Sequence, residues 1–167
     1  GLKVSPLCLG TMMFGERADY AESGRIVDSA RAAGVNFIDT ADVYAKGESE
    51  RIVGKLIAGD RDHWVLATKV GNPVGEGPNR RGSSRRRLLQ AIDESLDRLA
   101  TDYVDIYYLH RDFADCPLEE TVDALGEIVS SGRVRYFGVS NFRGWRIAEV
   151  VRVCGELGVA KPVVCQP

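Results

Sequence analysis

The sequence has no long apolar run, and this absence excludes several classes of protein. No segment approaches the roughly 20 uninterrupted apolar residues that a membrane-spanning helix needs. No apolar segment long enough for the core of a signal peptide follows the basic start, so we predict no signal peptide and expect a cytoplasmic protein without a membrane partner. Charge of one sign is also lacking, because 22 basic and 24 acidic residues give a formal net charge of −2. This balance argues against nucleic acid as the main partner.

The four cysteines lack the spacing of a metal site or of a redox pair. None forms a C-x-x-C motif, and none lies at metal-ligand spacing from a histidine. Three of them lie in or beside apolar segments, where a free thiol packs like a small apolar side chain. We therefore expect no metal, and four reduced cysteines at Cys8, Cys116, Cys154 and Cys165.

Short apolar runs alternate with longer segments of helical periodicity along the whole chain. We predict six strands, at residues 7–10, 36–40, 64–69, 104–110, 134–140 and 162–166. Five helices are predicted between them, at 22–33, 49–58, 84–100, 117–132 and 147–157, and a long loop at 70–82. This alternation predicts an α/β fold with a parallel sheet. No repeat or linker interrupts it, so we expect one domain over residues 1–167.

Two parallel α/β architectures fit the alternation: an open, doubly wound sheet and part of a (β/α)8 barrel. No G-x-G-x-x-G motif follows a predicted strand, so the main signal of a doubly wound dinucleotide-binding fold is missing. A complete (β/α)8 barrel takes about 250 residues, which is more than the 167 present here. Both architectures place the functional site at the carboxyl ends of their strands.

Polar side chains occur at the carboxyl ends of five of the six predicted strands. Taken singly, an aspartate can cap a turn, a loop tyrosine can pack on its neighbours, and a strand-end lysine or histidine can have a structural role. Together they must face each other or a ligand, because polar groups left unpaired beside an apolar sheet cost a few kcal/mol each. These residues are Asp39 with Tyr44 just beyond it, Lys69, His110, Ser140 with Asn141, and Gln166.

Asp39, Tyr44, Lys69 and His110 form a set that could transfer a proton. A tyrosine has an ordinary pKa near 10, which is too high for efficient acid–base work near neutral pH. A lysine cation within a few ångström lowers the pKa of a phenol, and an aspartate can hold that lysine in place. A histidine can orient a substrate oxygen. Such a set would protonate a carbonyl oxygen, and because no side chain supplies hydride, a reduction would need a nicotinamide cofactor.

Five segments of the sequence resemble the signature segments of the aldo-keto reductases, in the same order and at suitable spacings. They read LGTM, FIDTADVY, ATK, VDIYYLH and GVSNF, and cover residues 9–12, 37–44, 67–69, 104–110 and 138–142. The resemblance, which is greatest to the bacterial members, implies a (β/α)8 barrel that reduces aldehydes and ketones to alcohols. It implies NADPH as the usual cofactor, with NADH as the other option.

The resemblance also implies a role for each matched residue. It gives the catalytic tetrad as Asp39, Tyr44, Lys69 and His110. Tyr44 would be the general acid, Lys69 and Asp39 would tune it, and His110 would orient the carbonyl. The residues implied for cofactor binding are Gly10, Thr11, Met12 and Asp39 beside the nicotinamide ribose, and Ser140, Asn141 and Gln166 at the carboxamide.

Length is where the sequence departs from the family, whose members are nearly twice as long. We expect an incomplete barrel without strands seven and eight, against which the family places its cofactor phosphates. Six strands cannot close a barrel and leave unpaired edges. The 167-residue polypeptide alone is therefore predicted to have little stability and to bind NADPH weakly. The expected partners are a small carbonyl substrate and, as an open option, further copies of the chain.

Two other functions remain open at this point. One is a cofactor-sensing regulatory or binding subunit, because channel-associated β-subunits are relatives of the branch that the sequence resembles. An inactive fragment is a variant of the same hypothesis. The other is a Schiff-base lyase on an unrelated barrel, with Lys69 as the nucleophile.

For several residues outside the tetrad we predict a role in the substrate pocket, in packing or at the surface. Four loop residues could shape the substrate pocket or simply pack in their loops: Phe14, Tyr20, Arg111 and Phe142. The basic cluster of Arg80, Arg81 and Arg85-Arg86-Arg87 is interpreted as solvated surface. We expect His63 at the non-catalytic end of its strand, and a stabilising role for Asp105 early in its strand.

Overall fold

Six strands and five α-helices alternate along the chain in the computed structural model, which describes all 167 residues. The strands are β1 (Leu9–Gly10), β2 (Phe37–Asp39), β3 (Val65–Val70), β4 (Val104–Leu109), β5 (Val134–Ser140) and β6 (Val164–Gln166). The helices are α1 (Tyr20–Ala32), α2 (Glu48–Ile57), α3 (Arg85–Leu99), α4 (Leu118–Ser130) and α5 (Gly144–Leu157). Every predicted strand and helix is present, and the ends differ from the predicted ones by a few residues.

The strands form one parallel sheet in which neighbours in the sheet are also neighbours in the chain, in the order β1-β2-β3-β4-β5-β6. A doubly wound sheet reverses its strand order at a switch point, and this sheet does not. A helix lies between each pair of successive strands. The arrangement is that of consecutive units of a (β/α)8 barrel, so the predicted incomplete barrel is confirmed.

The main hydrophobic core lies between the sheet and the helices and contains 29 buried residues. Successive side chains of a strand point to opposite faces, so alternate residues belong to different clusters. Leu66 and Tyr107 belong to the main core, whereas their neighbours form a second buried cluster on the other face, made of Val65, Ala67, Ile106 and Tyr108. Strands that are apolar on both faces are typical of parallel sheets.

Helix α3 shows how local sequence fixes the position of one wall of this core. The Ser84 side chain accepts a hydrogen bond from the Arg87 backbone amide and caps the amino end of the helix. The helix ends at Ala100, which adopts a left-handed conformation with φ of 52°. Between these ends the predicted apolar stripe is buried, as at Leu88 and Ile92.

The interpretation of the basic cluster as solvated surface is wrong for Arg87, whose side chain is 0% exposed. Its Nη2 donates to Asp42 Oδ2 at 2.8 Å, and its Nη1 donates to Glu94 Oε2 at 3.1 Å. Arg87 lies four residues before Ala91, which places it on the buried side of α3. Arg80 is half-buried and also pairs with Glu94. A buried arginine needs such partners, because an unpaired charge in the interior is very costly.

Two short 3₁₀ turns, at Tyr44–Gly47 and Ala58–His63, were not predicted from the sequence. In the first, Ala45 and Lys46 both have positive φ, at 47° and 56°. Non-glycine residues seldom adopt this conformation, and no glycine or asparagine occupies either position to signal it. This turn lies between β2 and α2, directly before α2, and begins with Tyr44.

The structure also shows the positions of His63, Asp105 and Phe14, and only Phe14 has its two alternatives decided. His63 lies at the amino end of β3, where Nε2 is 3.2 Å from the Val35 carbonyl oxygen. Asp105 pairs with Arg61 at 2.8 Å and accepts a hydrogen bond from the Leu66 amide, in agreement with a stabilising role. Phe14 is 2% exposed within the main core, so packing describes it and pocket shaping does not.

The remaining loop residues lie at or near the surface of the molecule. Tyr20 and Arg111 are exposed, and Phe142 is half-buried against the main core. All four cysteines are free thiols. No helix combines the length and the apolar character needed to cross a membrane.

Candidate active site

The chain after β2 brings Tyr44 to the carboxyl end of β3. The Thr40 amide donates to the Ala67 carbonyl at 2.9 Å, and the Asp42 amide donates to the Lys69 carbonyl at 3.2 Å. These bonds continue the parallel pairing beyond the last residue of β2. The 3₁₀ turn then starts at Tyr44, and this geometry places its phenol beside the Lys69 side chain.

Lys69 is fully buried, and its ammonium group meets three oxygen atoms. Nζ donates to Asp39 Oδ2, to the Thr40 carbonyl oxygen at 3.0 Å and to the Tyr44 hydroxyl oxygen at 3.1 Å. It also lies 4.9 Å from the centroid of the Tyr44 ring. An ammonium group has three donors, so each is used and the cation is fixed in position. Negative charge that develops on the phenol oxygen would be stabilised there.

The Asp39 carboxylate faces Lys69 from the end of β2. Burial raises the pKa of Asp39, while the attraction and the hydrogen bond of Lys69 act in the opposite direction. Oδ2 accepts from Lys69, and the Gln166 side-chain amide lies 3.5 Å from the same oxygen. Oδ1 is buried without a hydrogen-bond partner. Asp39 therefore holds the Lys69 ammonium through Oδ2, and its Oδ1 is an acceptor without a partner.

His110 follows β4 and stands edge-on to Tyr44. The two ring centroids are 5.9 Å apart and the planes are inclined by 81°. The His110 amide donates to the Val70 carbonyl at 2.8 Å, which extends the pairing of β3 with β4. Burial lowers the pKa of His110 to about 4, and the positive charges of Lys69 and Arg111 act in the same direction. The imidazole is therefore neutral near pH 7, and its Nδ1 is buried without a hydrogen-bond partner.

The ends of β5 and β6 are tied to this group by amide hydrogen bonds. The Asn141 side chain donates to the His110 carbonyl at 3.0 Å and to Ser140 Oγ at 3.0 Å. The Asn141 backbone amide donates to the Gln166 carbonyl at 3.0 Å, although Asn141 has a positive φ of 57°. Ser140, Asn141 and Gln166 thus lie beside the tetrad, as the sequence predicts.

The segment at the end of β1 contains two exposed residues and one buried residue. A Cβ placed on Gly10 would meet no heavy atom within 4 Å, and Met12 is 53% exposed. Thr11 is buried, and its hydroxyl is engaged by the Asp39 carbonyl at 3.0 Å and by Ser49 Oγ at 2.9 Å. Gly10 and Met12 are accessible to a ligand, whereas the Thr11 hydroxyl holds β1, β2 and α2 together.

The residues present fit the nicotinamide end of a dinucleotide. The amide groups of Asn141 and Gln166 can pair with a carboxamide, and the open surface at Gly10 admits a flat ring close to the backbone. Gly10 and Asp39 are paired in the sheet, and Asp39 Oδ1 is a buried acceptor without a partner in the protein. In chemical terms, the site combines a fixed cation, a phenol and a neutral imidazole.

A family model for the aldo/keto reductases matches residues 6–167. The chain belongs to the aldo/keto reductase family. It is 39% identical, over its whole length, to a probable voltage-gated potassium channel β-subunit of Oryza sativa, of which it covers 52%. It is 41% identical over 89% of its length to the Bacillus subtilis oxidoreductase YrpG, and 37% identical over 89% to norsolorinic acid reductase of Aspergillus flavus. The chain covers 49% and 42% of these two proteins, so it spans about half the length of its relatives.

The structure brings all four tetrad residues of this aldo/keto reductase chain together, but it adds contacts that sequence reasoning missed. The Thr40 carbonyl oxygen is the third acceptor for Lys69, and a backbone atom leaves no signal in the sequence. Asp42 is buried against Arg87, and burial, followed by the negative charge of Glu50, raises the pKa of Asp42 to about 7. No local pattern signals this pair, because Asp42 and Arg87 are 45 residues apart in the sequence.

Proposed function

We propose that the protein reduces aldehydes or ketones to alcohols, with Tyr44 as the general acid. The observation that carries the proposal is the 3.1 Å contact between Lys69 Nζ and the Tyr44 hydroxyl oxygen. Membership of the aldo/keto reductase family supports an oxidoreductase. NADPH, with NADH as the other option, supplies hydride to the carbonyl carbon when it is bound.

The proton that the carbonyl oxygen takes up would come from the chain's own residues. Tyr44 donates its hydroxyl proton to the carbonyl oxygen, and the Lys69 ammonium stabilises the phenolate that remains. Asp39 keeps the ammonium in place. Neutral His110 presents an imidazole to the same region and orients the carbonyl by a hydrogen bond.

The cofactor would be held at its nicotinamide end by two groups of residues. Gly10, Met12 and the free oxygen of Asp39 would lie at the ribose, and Thr11 would support them from beneath. Ser140, Asn141 and Gln166 would contact the carboxamide. The substrate would be a small carbonyl compound. The cytoplasm remains the predicted compartment, and assembly with further copies of the chain remains an open prediction.

A regulatory or binding subunit is a second candidate function. The 39% identity to a probable potassium channel β-subunit favours it. It would use the same site to hold a cofactor tightly while turning over slowly. The complete set of hydrogen bonds around Lys69 favours the reductase, because retention of a cofactor alone does not require a phenol beside an ammonium group. The same engagement of Nζ argues against a Schiff-base lyase.

Replacement of Tyr44 by Phe in the complete protein tests the reductase. We expect NADPH-dependent reduction of an aldehyde such as 4-nitrobenzaldehyde to fall by about 10²–10⁴-fold in kcat, because the general acid is lost. Tyr103→Phe is the matched control, since Tyr103 precedes β4 at the opposite end of the sheet and packs on Arg61 and Arg135. Near-normal turnover by Tyr44→Phe would exclude the assigned acid. Slow turnover by the unaltered protein with tight cofactor retention would favour the regulatory subunit.

A further inference from the structure

A cavity of about 450 Å³ lies outside the tetrad, between the turn after β2 and the loop that leads to α3. No tetrad residue lines it. Three of its lining residues are basic and come from three different parts of the chain: Lys46 from the turn, Arg80 from the loop and Arg98 from α3. Such convergence of like charges is unfavourable unless something negative offsets it.

The neighbouring carboxylates offset these charges only in part. Arg98 Nε donates to Glu50 at 2.6 Å and Nη2 donates to Ser95 Oγ at 3.2 Å, so Nη1 remains free. Arg80 donates through Nη1 to Glu94 at 2.6 Å. Lys46 is exposed at the cavity and makes no ion pair. Donors for a ligand are therefore available on Lys46 and Arg98.

The charges around the cavity sum to a positive value. Four basic groups (Lys46, Arg80, Arg87, Arg98) stand against three acidic groups (Asp42, Glu50, Glu94), which leaves a net charge of +1 when all are ionised. Burial raises the pKa of Asp42 to about 7 and also raises that of Glu50, so the balance near neutral pH is no more negative than this. The charge balance therefore favours an anionic ligand.

The backbone supports the same conclusion at Lys46. Ala45 and Lys46 are both left-handed, and residues held in this conformation cost about 1–3 kcal/mol each. Such strain accumulates at ligand sites and persists only when surrounding structure enforces it. Here it presents the Lys46 side chain to the cavity without giving it a protein partner.

We propose that this cavity binds a small organic phosphate, whose phosphoryl oxygens are held by Lys46 and by Nη1 of Arg98. Ammonium and guanidinium groups form charge-assisted hydrogen bonds to phosphate. A phosphate monoester carries about 1.5 to 2 negative charges near neutral pH, which meets the excess positive charge. Asp42 also lines the cavity, and its carboxylate is paired with Arg87. The remaining lining residues, Val43, Pro73, Val74 and Gly75, leave room for an organic part. The site is separate from the tetrad, and the proposal does not depend on the reductase function.

Calorimetric titration of the complete protein with glycerol 3-phosphate tests the site, without added NADP⁺, because the phosphates of NADP⁺ would compete for the cavity. Binding at a cofactor phosphate site is the same in all variants of the cavity and is separated by comparing them. Lys46→Asn removes the charge and retains a residue that tolerates left-handed backbone. Lys55→Gln is the matched control, because Lys55 is an exposed lysine of α2 outside the cavity. Glycerate, in which a carboxylate replaces the phosphorylated hydroxymethyl group, tests the chemical class.

We expect the Kd for glycerol 3-phosphate to rise at least about tenfold in Lys46→Asn and to stay unchanged in Lys55→Gln, because one charge-assisted hydrogen bond is lost. Lys46→Arg should retain binding, which shows that the charge is what matters. Absence of binding to the unaltered protein overturns the proposal. Equal binding by the Lys46→Asn and Lys55→Gln variants also overturns it, and so does glycerate binding as tightly as the phosphate.

Discussion

At Lys69, three hydrogen bonds determine which proton in the site can move. The ammonium donates to Asp39, to the Thr40 carbonyl and to Tyr44, so none of its donors is free for a substrate. A fully buried ammonium is tolerated only when such partners replace water. The phenol of Tyr44 is half-buried and makes one of these contacts as acceptor, so its own proton remains available for transfer.

His110 gives a pH-dependent prediction at the same scale. Its pKa is about 4 in the folded protein and about 6.5 when unfolded. Between pH 6.5 and pH 4, His110 is therefore protonated in the unfolded state but still neutral in the folded state. The stability that neutral His110 contributes is lost as the pH falls through this range. The contribution is complete above pH 6.5.

The His110→Gln variant isolates this contribution, because raised carboxyl pKa values such as that of Asp42 act in both proteins and cancel in the difference. Urea unfolding at several pH values between 5 and 8 should show the largest stability difference between the unaltered protein and the variant above pH 6.5. That difference should shrink towards pH 5. A difference that does not vary with pH contradicts a neutral His110.

At the scale of strands and helices, the sequence is most informative where an apolar run ends. Asp39, Lys69 and His110 each stand at or near the carboxyl end of a mostly apolar strand, so their meeting at one edge of the sheet could be predicted. Tyr44 lies beyond its strand, and its placement depends on the amide hydrogen bonds of Thr40 and Asp42. The family segments supplied that part of the site.

Two features could not be predicted because their cause is tertiary. The left-handed turn at Ala45 and Lys46 has no local signal, since neither residue favours it. Arg87 stands in a run of arginines that reads as surface, and only its acidic partners make its burial tolerable. In each case the surrounding structure overrides what the local sequence favours.

Gly54 tests how closely α2 and α3 must pack. A Cβ at Gly54 would lie 2.2 Å from the carbonyl oxygen of Leu99, and backbone cannot yield as a flexible side chain can. Gly54→Ala should lower the free energy of unfolding by about 1–3 kcal/mol or more. Gly155→Ala, in α5, meets nothing within 4 Å and should raise it by about 0.5–1 kcal/mol. Chemical denaturation of both variants measures the contrast, and similar effects of the two would show that this helix contact is loose.

At the scale of the whole molecule, the sheet described by these 167 residues has two edges. β1 pairs only with β2, and β6 pairs only with β5. The face opposite the main core has only a small buried cluster, and Tyr136 and Val163 near β5 and β6 are partly or largely exposed. The tetrad is complete on this sheet, whereas the surface around it is open. We therefore expect the residues for proton transfer to lie within residues 1–167, and tight binding of the cofactor to need further chain.

The polypeptide of residues 1–167, prepared alone, tests this separation. The resemblance to the family implies that cofactor phosphates lie against two further barrel units, which these residues do not include. We therefore expect weak binding of NADPH, with a Kd well above the micromolar range. Reduced nicotinamide mononucleotide, which lacks the adenine half, should bind about as weakly, because the residues present contact only the nicotinamide end. Fluorescence titration measures both ligands, and micromolar binding of NADPH that greatly exceeds that of the mononucleotide would mean that these residues already hold the phosphates.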